Sequence, residues 1–368
     1  MRVDADRHGL GDAVAQVRQV LGFTQAQLAE RAGLSQGYVS RIEGGVLELT
    51  EPYLSQIAEA MWCPIDLLTD PGVVLSPGVS CVHHRRKKSR LSAGSVKRIE
   101  GLANLTSLTL TRLIAHLNSA NAVKVRLPQV GTGATASPTG LAQEIREMAG
   151  IGGKPVASVA QIVEGIGVPI MRRPLTAPTP RVGSVGQDGI SMSGAGRHPV
   201  IIVNEGLSPD RERFTIAHEL GHIVLHQGMA ASADDEVESE ANDFAARLLL
   251  PRESMDDALE GMTEGNLRSL LELKNEWGVS ISALIEQGKR LGKIDSETYR
   301  KLRIRLARMG WDKLEPGDVQ REELLLLGDI LERLRQQGLS ETDLARISLM
   351  RIEDFRRVYI SQLSDRGE

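Results

Sequence analysis

The sequence predicts an α+β fold that is mostly helical: an N-terminal helical domain, a central domain with a small β-sheet, and a C-terminal helical unit. Three observations predict it. Apolar residues recur at helical spacing over most of the chain, as in Leu10, Val14, Val17, Val20 and Leu21. Strand signals gather in one short region, at 168–171, 189–192 and 199–204. Soon after the last of these comes His218-Glu219-Leu220-Gly221-His222, inside a helical pattern.

Composition narrows the class. With 41% hydrophobic and 25% charged residues the chain is globular rather than disordered, and 368 residues suffice for two or three domains. Aromatic residues are only 3%, so the cores must be built from Leu, Val, Ile and Ala. The two cysteines, Cys63 and Cys81, form no CxxC, which excludes a disulfide scaffold and points to free thiols in a reducing cytoplasm. The charged start at 1–10 has no apolar core, so no secretion signal is expected. No apolar run reaches the ~18 residues of a membrane span, so no membrane partner is expected either.

From the N-terminus, the helical spacing at 10–21 stops at Gly22. Thr24 is placed to cap a second helix and Ser35 a third, with a turn at Gly33 between them. Leu28, Ala29, Leu34, Val39 and Ile42 form the small core they share. The pattern Thr24-Gln25-x-x-Leu28-Ala29, then Gly33-Leu34-Ser35, then Ser40-Arg41-Ile42-Glu43-x-Gly45, resembles the five-helix XRE family of helix-turn-helix domains. That resemblance implies that 35–43 is the recognition helix and that Gln25, Gln36, Tyr38 and Arg41 reach an operator in double-stranded DNA. Gln and Arg suit bidentate contact with base edges. Gly37 stands where a longer polar side chain often reads a base, so few direct base contacts are expected. Residues 1–70 hold 5 Lys/Arg against 10 Asp/Glu, a balance that disfavours phosphate contact and leaves a protein-binding role open.

The first domain is read as 1–72. Pro and Gly at 71–78 mark a linker, followed by the most basic stretch, His83-His84-Arg85-Arg86-Lys87-Lys88-Ser89-Arg90. This stretch either supplies phosphate affinity or is the solvated start of the next helix. His83 and His84 are adjacent and point apart, so no second metal site is expected there. Leu91, Val96, Ile99, Leu102, Leu105 and Leu108 continue an amphipathic helix to about Leu117. It offers a seam for a homodimer, as half-site recognition would need. A flexible linker at 128–140 closes this second segment, 73–140.

The central domain, 141–315, opens with helices at 141–148 and 159–165, then carries the three strands with a Pro-rich loop at 174–183. Ser208 and Pro209 start the helix that bears the motif. His218 and His222 share a helix face, and two imidazoles at that spacing can hold one Zn²⁺. Glu219 lies beside them, placed to take a proton from water. A third ligand is needed. The next helix, closed by Pro251, offers Glu238 at its N-terminal end and Glu240 as competitor, rotated by about 200°. Arg213-Phe214-Thr215-Ile216-Ala217-His218-Glu219-Leu220-Gly221-His222, with a Glu-x-x-x-Asn helix ending in Leu-Leu-Leu-Pro, resembles the ImmA/IrrE family of zincin-like metallo-endopeptidases. The resemblance implies Glu238 as third ligand. His226, one turn past His222, is a candidate to stabilise an oxyanion or else an exposed residue at the helix end. Asn242 and Arg213 are candidates to orient a ligand.

Helices at 266–277, 280–291 and 295–309 complete that domain. The tail, 316–368, is read as a separate helical interaction unit, with a helix at 322–337 and a cap at Ser340. The resemblances imply a DNA-binding regulator with a zinc endopeptidase that cuts a repressor or other transcription factor in a stress, mobile-element or toxin–antitoxin setting. The alternative is a non-cleaving regulator whose peptidase fold senses a ligand or binds a protein.

Overall fold

Local side-chain caps start two of the short helices at the N-terminus. The computed structural model describes residues 7–73, 92–118, 122–124, 126, 137–175, 187–194, 196–226, 235–263, 265–312 and 314–364. The first five helices are α1 (Arg7–Val20), α2 (Gln25–Arg31), α3 (Gln36–Glu43), α4 (Glu51–Ala60) and α5 (Ile65–Thr69). Thr24 and Gln27 form a capping box on α2, and the Ser35 hydroxyl accepts from the Tyr38 N–H on α3. Val14, Val17, Leu28, Val39, Ile42, Ile57 and Leu68 build their core. The Arg18 guanidinium grips both oxygens of Glu43, at 2.5 and 2.8 Å.

The basic stretch at 83–90, Cys81, residues 128–136 of the expected linker and residues 176–183 of the Pro-rich loop lie outside the described residues. Helix α6 (Ala93–Ala115) is not a spacer. Its Leu108 enters the core of the first domain, while Ile99, Leu102, Leu110 and Leu113 join a second core with the sheet and the tail. The apolar side expected to form a dimer seam is therefore buried within the chain.

Two helices, α7 (Pro138–Met148) and α8 (Val159–Gly165), precede the sheet of β1 (Ile170–Arg173), β2 (Gly189–Gly194) and β3 (Arg197–Asn204). Its order is β1-β3-β2, with β1 parallel and β2 antiparallel to β3. The two-residue period splits the strands between two cores. Ile170, Ile201 and Val203 face one, while Met171, Ile190, Met192, Val200 and Ile202 face the other, beneath α6.

On the first face lie α9 (Pro209–Leu225), α10 (Asp235–Leu249), α11 (Arg252–Ala258), α12 (Leu267–Trp277), α13 (Ile281–Arg290) and α14 (Ser296–Arg308). On the second lie α15 (Leu326–Gln336), α16 (Glu341–Ile347) and short turns at Ile352–Phe355 and Arg356–Ile360. The tail is thus not free-standing: it shares a core with α6 and the sheet. Among the described residues, no helix is long and apolar enough to cross a membrane.

The helix expected at 322–337 begins only at Leu326. Glu322 lies ahead of it because its carboxylate serves elsewhere. It accepts from the N–H groups of Val159 and Ala160 at 3.0 and 3.1 Å, capping α8, and it pairs with Arg213. Tertiary contact overrides the local helical pattern here. Both partners of that pair are buried, at 5% and 1% side-chain exposure. Glu322→Ala is therefore expected to lower stability by about 3–5 kcal/mol, the cost of leaving a buried guanidinium unpaired. Urea denaturation checks this. A loss under about 1 kcal/mol would rank the pair with exposed ones.

Candidate metal centre

Helix α9 is apolar only in part, yet most of it is buried. Each charge it carries inward is met. Asp210 receives Lys274 Nζ at 2.7 Å, and Glu212 is held by Arg172 at 2.7 Å and Arg321 at 3.0 Å. Burial alone would raise the Asp210 carboxyl, but hydrogen bonds from Lys274 and Ser208 and the lysine's charge outweigh it and hold it below its ordinary value. Ser208 occupies the N-cap position, but its side chain does not cap the helix. These contacts fix the helix in depth and rotation, and so fix where His218, Glu219 and His222 point.

Helix α10 crosses α9 closely at Gly221. A Cβ there would stand 3.2 Å from the Ala241 Cα and 3.3 Å from its carbonyl oxygen, so any side chain would push α10 away. This approach brings Glu238 to the histidine pair. Its Oε1 lies 2.9 Å from His222 Nε2 and 3.6 Å from His218 Nε2, and the two Nε2 atoms are 3.1 Å apart. One ligand atom from each residue falls within 4.8 Å of the other two. Donors held ~2.0–2.1 Å from a tetrahedral zinc stand about 3.3 Å from one another. The three separations bracket that value, and two imidazoles with one carboxylate are a zinc-type donor set, so these residues fit the ion. Burial would raise the Glu238 carboxyl, but hydrogen bonds from both imidazoles and their charge reverse this and hold it well below the usual carboxylate range.

Glu219 sits next to this group, 4% exposed. Its Oε2 accepts from the Ser191 hydroxyl of β2 at 2.7 Å. Glu219, Gly189, His218, His222 and Glu238 line a cleft of about 1030 Å³, walled on its far side by Glu286, Tyr299 and Arg303 of α13 and α14. Arg211 and Asp188 form a two-pronged ion pair at its rim, at 2.7 and 2.9 Å.

The other site expectations fare differently. His226 is not among the residues lining the cleft: its Nε2 is bound to Glu240 Oε2 at 2.9 Å. The helix ends at Leu225, and His226 leaves its regular path with φ −115° and ψ 31°. Glu240, the rival ligand, is thereby occupied with His226. Asn242 steadies the backbone rather than a ligand side chain, donating to the Glu238 carbonyl at 2.8 Å. Arg213 is structural, donating to the carbonyls of Val156, Ala157 and Gly278. Ser191 went unassigned in sequence reasoning because nothing local distinguishes a serine within a strand.

In the N-terminal domain Gln36 and Arg41 are exposed on α3. Gln25 instead donates to Glu43 at 2.9 Å, and the Tyr38 ring packs 4.9 Å from that of Tyr53. Arg41 also donates to the Gly37 carbonyl of its own helix, at 3.3 Å, so three of the four expected DNA contacts have partners within the domain.

The chain joins a helix-turn-helix module to a metallopeptidase-type domain. Residues 14–68 match the helix-turn-helix family, and residues 163–287 match the family described as IrrE N-terminal-like domain. Its relatives include the radiation response metalloprotease IrrE of Deinococcus deserti, 33% identical over 99 residues that cover 24% of this chain and 35% of that protein. The protein of the same name from Deinococcus radiodurans is 32% identical over 99 residues, covering 24% of this chain and 30% of its own length. The match thus spans about a third of each relative.

His218→Ala, His222→Ala and Glu238→Ala are each expected to abolish uptake of the ~1 zinc per chain that a tripod of this kind holds. His226→Ala should leave uptake unchanged. Metal analysis after dialysis checks both statements.

Proposed function

We propose that the chain is a DNA-binding regulator whose central domain is a zinc-dependent endopeptidase, with His218, His222 and Glu238 as metal ligands and Glu219 as general base. The observation that carries this reading is a buried carboxylate, Glu219, beside a three-donor tripod in an open cleft. A site that only bound metal would need no carboxylate at that place.

Zinc supplies a Lewis acid that lowers the pKa of water toward neutrality. Glu219 accepts the proton as water attacks the peptide carbonyl, then returns it to the leaving amine. Among the described residues strand β2 is an edge of the sheet, and its Gly189 lines the cleft. An extended peptide adds to such an edge through main-chain hydrogen bonds, which present the scissile bond while reading few side chains. The substrate class we infer is therefore an unfolded or loop segment of a partner protein, a repressor or other transcription factor. The relatives' name, which sets a metalloprotease in a radiation response, supports a stress setting.

Glu219→Gln keeps the shape of the side chain and removes the base. It is expected to retain zinc and to stop cleavage of the partner, scored by immunoblot in cells under DNA-damaging stress. Equal cleavage by the variant and the wild type would refute the peptidase reading.

For the N-terminal domain, Gln36 and Arg41 are the residues proposed to reach base edges. Residues 7–73 contain four cations, Arg7, Arg18, Arg31 and Arg41, and Arg18 is tied to Glu43. Binding of this domain to duplex DNA should depend weakly on salt, with a log–log slope no steeper than about −3 at ~0.9 per neutralised phosphate. A steeper slope, measured by fluorescence anisotropy on the full chain, would point to the basic stretch at 83–90 as a further phosphate contact.

A further inference from the structure

On the sheet face that meets α9, the inward residues of β3 beside β2 are aliphatic, Ile201 and Val203, as is Ile170 of β1, while Arg172 of β1 reaches Glu212. Strand β2 differs. Its Gly189 pairs with Val203 and its Ser191 with Ile201, so both look the same way as those residues. Ser191 is 0% exposed. A hydroxyl buried among aliphatic side chains is costly without a hydrogen bond, and this one donates to Glu219 Oε2 at 2.7 Å. Gly189 answers the same carboxylate. A Cβ there would stand 3.1 Å from Glu219 Cγ and 3.2 Å from Oε1, besides meeting Thr215 Cγ2 at 2.5 Å. These two residues of β2 therefore make one socket: Gly189 leaves the room and Ser191 supplies the donor.

We infer that Ser191 is the positioning residue for Glu219, holding Oε2 so that the carboxylate keeps one orientation beside the metal tripod. This rests on the reading of Glu219 as proton acceptor. A glutamate has three rotatable side-chain bonds and loses that freedom only where something holds it. A charge-assisted hydrogen bond from a buried strand is such a hold. Ser191 itself touches no substrate and takes no proton.

The test uses the full-length, zinc-loaded chain and acetohydroxamate, which gives its hydroxyl proton to the base as the hydroxamate chelates the metal. Affinity is measured by calorimetry, with no turnover required. Four variants are compared: Ser191→Ala, Ser191→Val, Ser191→Thr and Glu219→Gln. Valine and threonine have nearly the same shape and differ in the hydroxyl, which separates the hydrogen bond from packing. Ser191→Ala and Ser191→Val are expected to bind roughly tenfold more weakly, the order of one lost hydrogen bond to a charged group. Ser191→Thr should bind like the wild type, and zinc content should match across wild type, Ser191→Ala and Ser191→Thr. Unchanged affinity in Ser191→Ala, or equal weakening in Ser191→Thr and Ser191→Val, would overturn the assignment. If Glu219→Gln bound acetohydroxamate as well as the wild type, the general-base reading itself would fail and the role of Ser191 with it. If the wild-type chain took up no zinc, the metal reading would be the one at fault.

Discussion

The central domain depends on one constraint: α9 carries charged residues into the core, and every one of them must be met there. Asp210, Glu212, Arg213 and Glu219 are all buried on this helix. Burying an isolated charge in a protein interior costs far more than the whole stability of a domain, so each needs a partner with good geometry. Lys274, Arg172, Arg321, Glu322 and Ser191 provide them. These partners come from β1, β2, α12 and the segment ahead of α15. The helix that carries the histidine pair is thus clamped from several sides, and the orientation of the metal tripod follows from ion pairs remote from it.

The same constraint explains why the tail is not detachable. Glu315 accepts from Lys274 at 3.0 Å and from the Ile281 and Ser282 N–H groups at 2.6 and 3.0 Å, capping α13. Glu322 does the equivalent for α8 while pairing with Arg213. Two glutamates spaced along one stretch each join a buried cation to a helix N-terminus, where a negative charge also meets the positive end of the helix dipole. After that stretch the chain crosses to the other sheet face, where Ile330, Leu331, Phe355 and Tyr359 close the second core.

What was legible in the sequence was local. Thr24 and Ser35 cap the helices they were expected to cap, and three strands form in the expected region, β1 shifted two residues on. The i,i+4 histidine pair was also legible, because helical periodicity fixes which residues share a face, whereas the choice of Glu238 over Glu240 came from the family resemblance. What was not legible depends on contacts far along the chain. Glu322 reads as a helical residue until Arg213, 109 positions away, is seen to need it. Ser191 reads as an ordinary strand residue until Glu219, 28 positions on, is placed above it. His226 stands at the end of α9, where its ring is held by Glu240, a partner that lies 14 positions on and could not be read locally.

Period-2 alternation also ties the two halves of the chain together through one strand. In β2, Ser191 faces α9 and the metal tripod, while its neighbours Ile190 and Met192 face α6 and the tail. Helix α6 in turn carries Leu108 into the core of the helix-turn-helix domain, and Leu349 of the tail enters that core from the other side. The end of the first domain is pinned at the same junction. Asp70 receives Arg112 at 2.7 Å, and the Val73 carbonyl receives Asn104. Arg351 stacks on Trp62 at 5.1 Å. Packed side chains and buried hydrogen bonds transmit displacement poorly damped, because interiors have crystal-like density. Helix α3 and the cleft are therefore linked by packing that runs through α6 and the sheet.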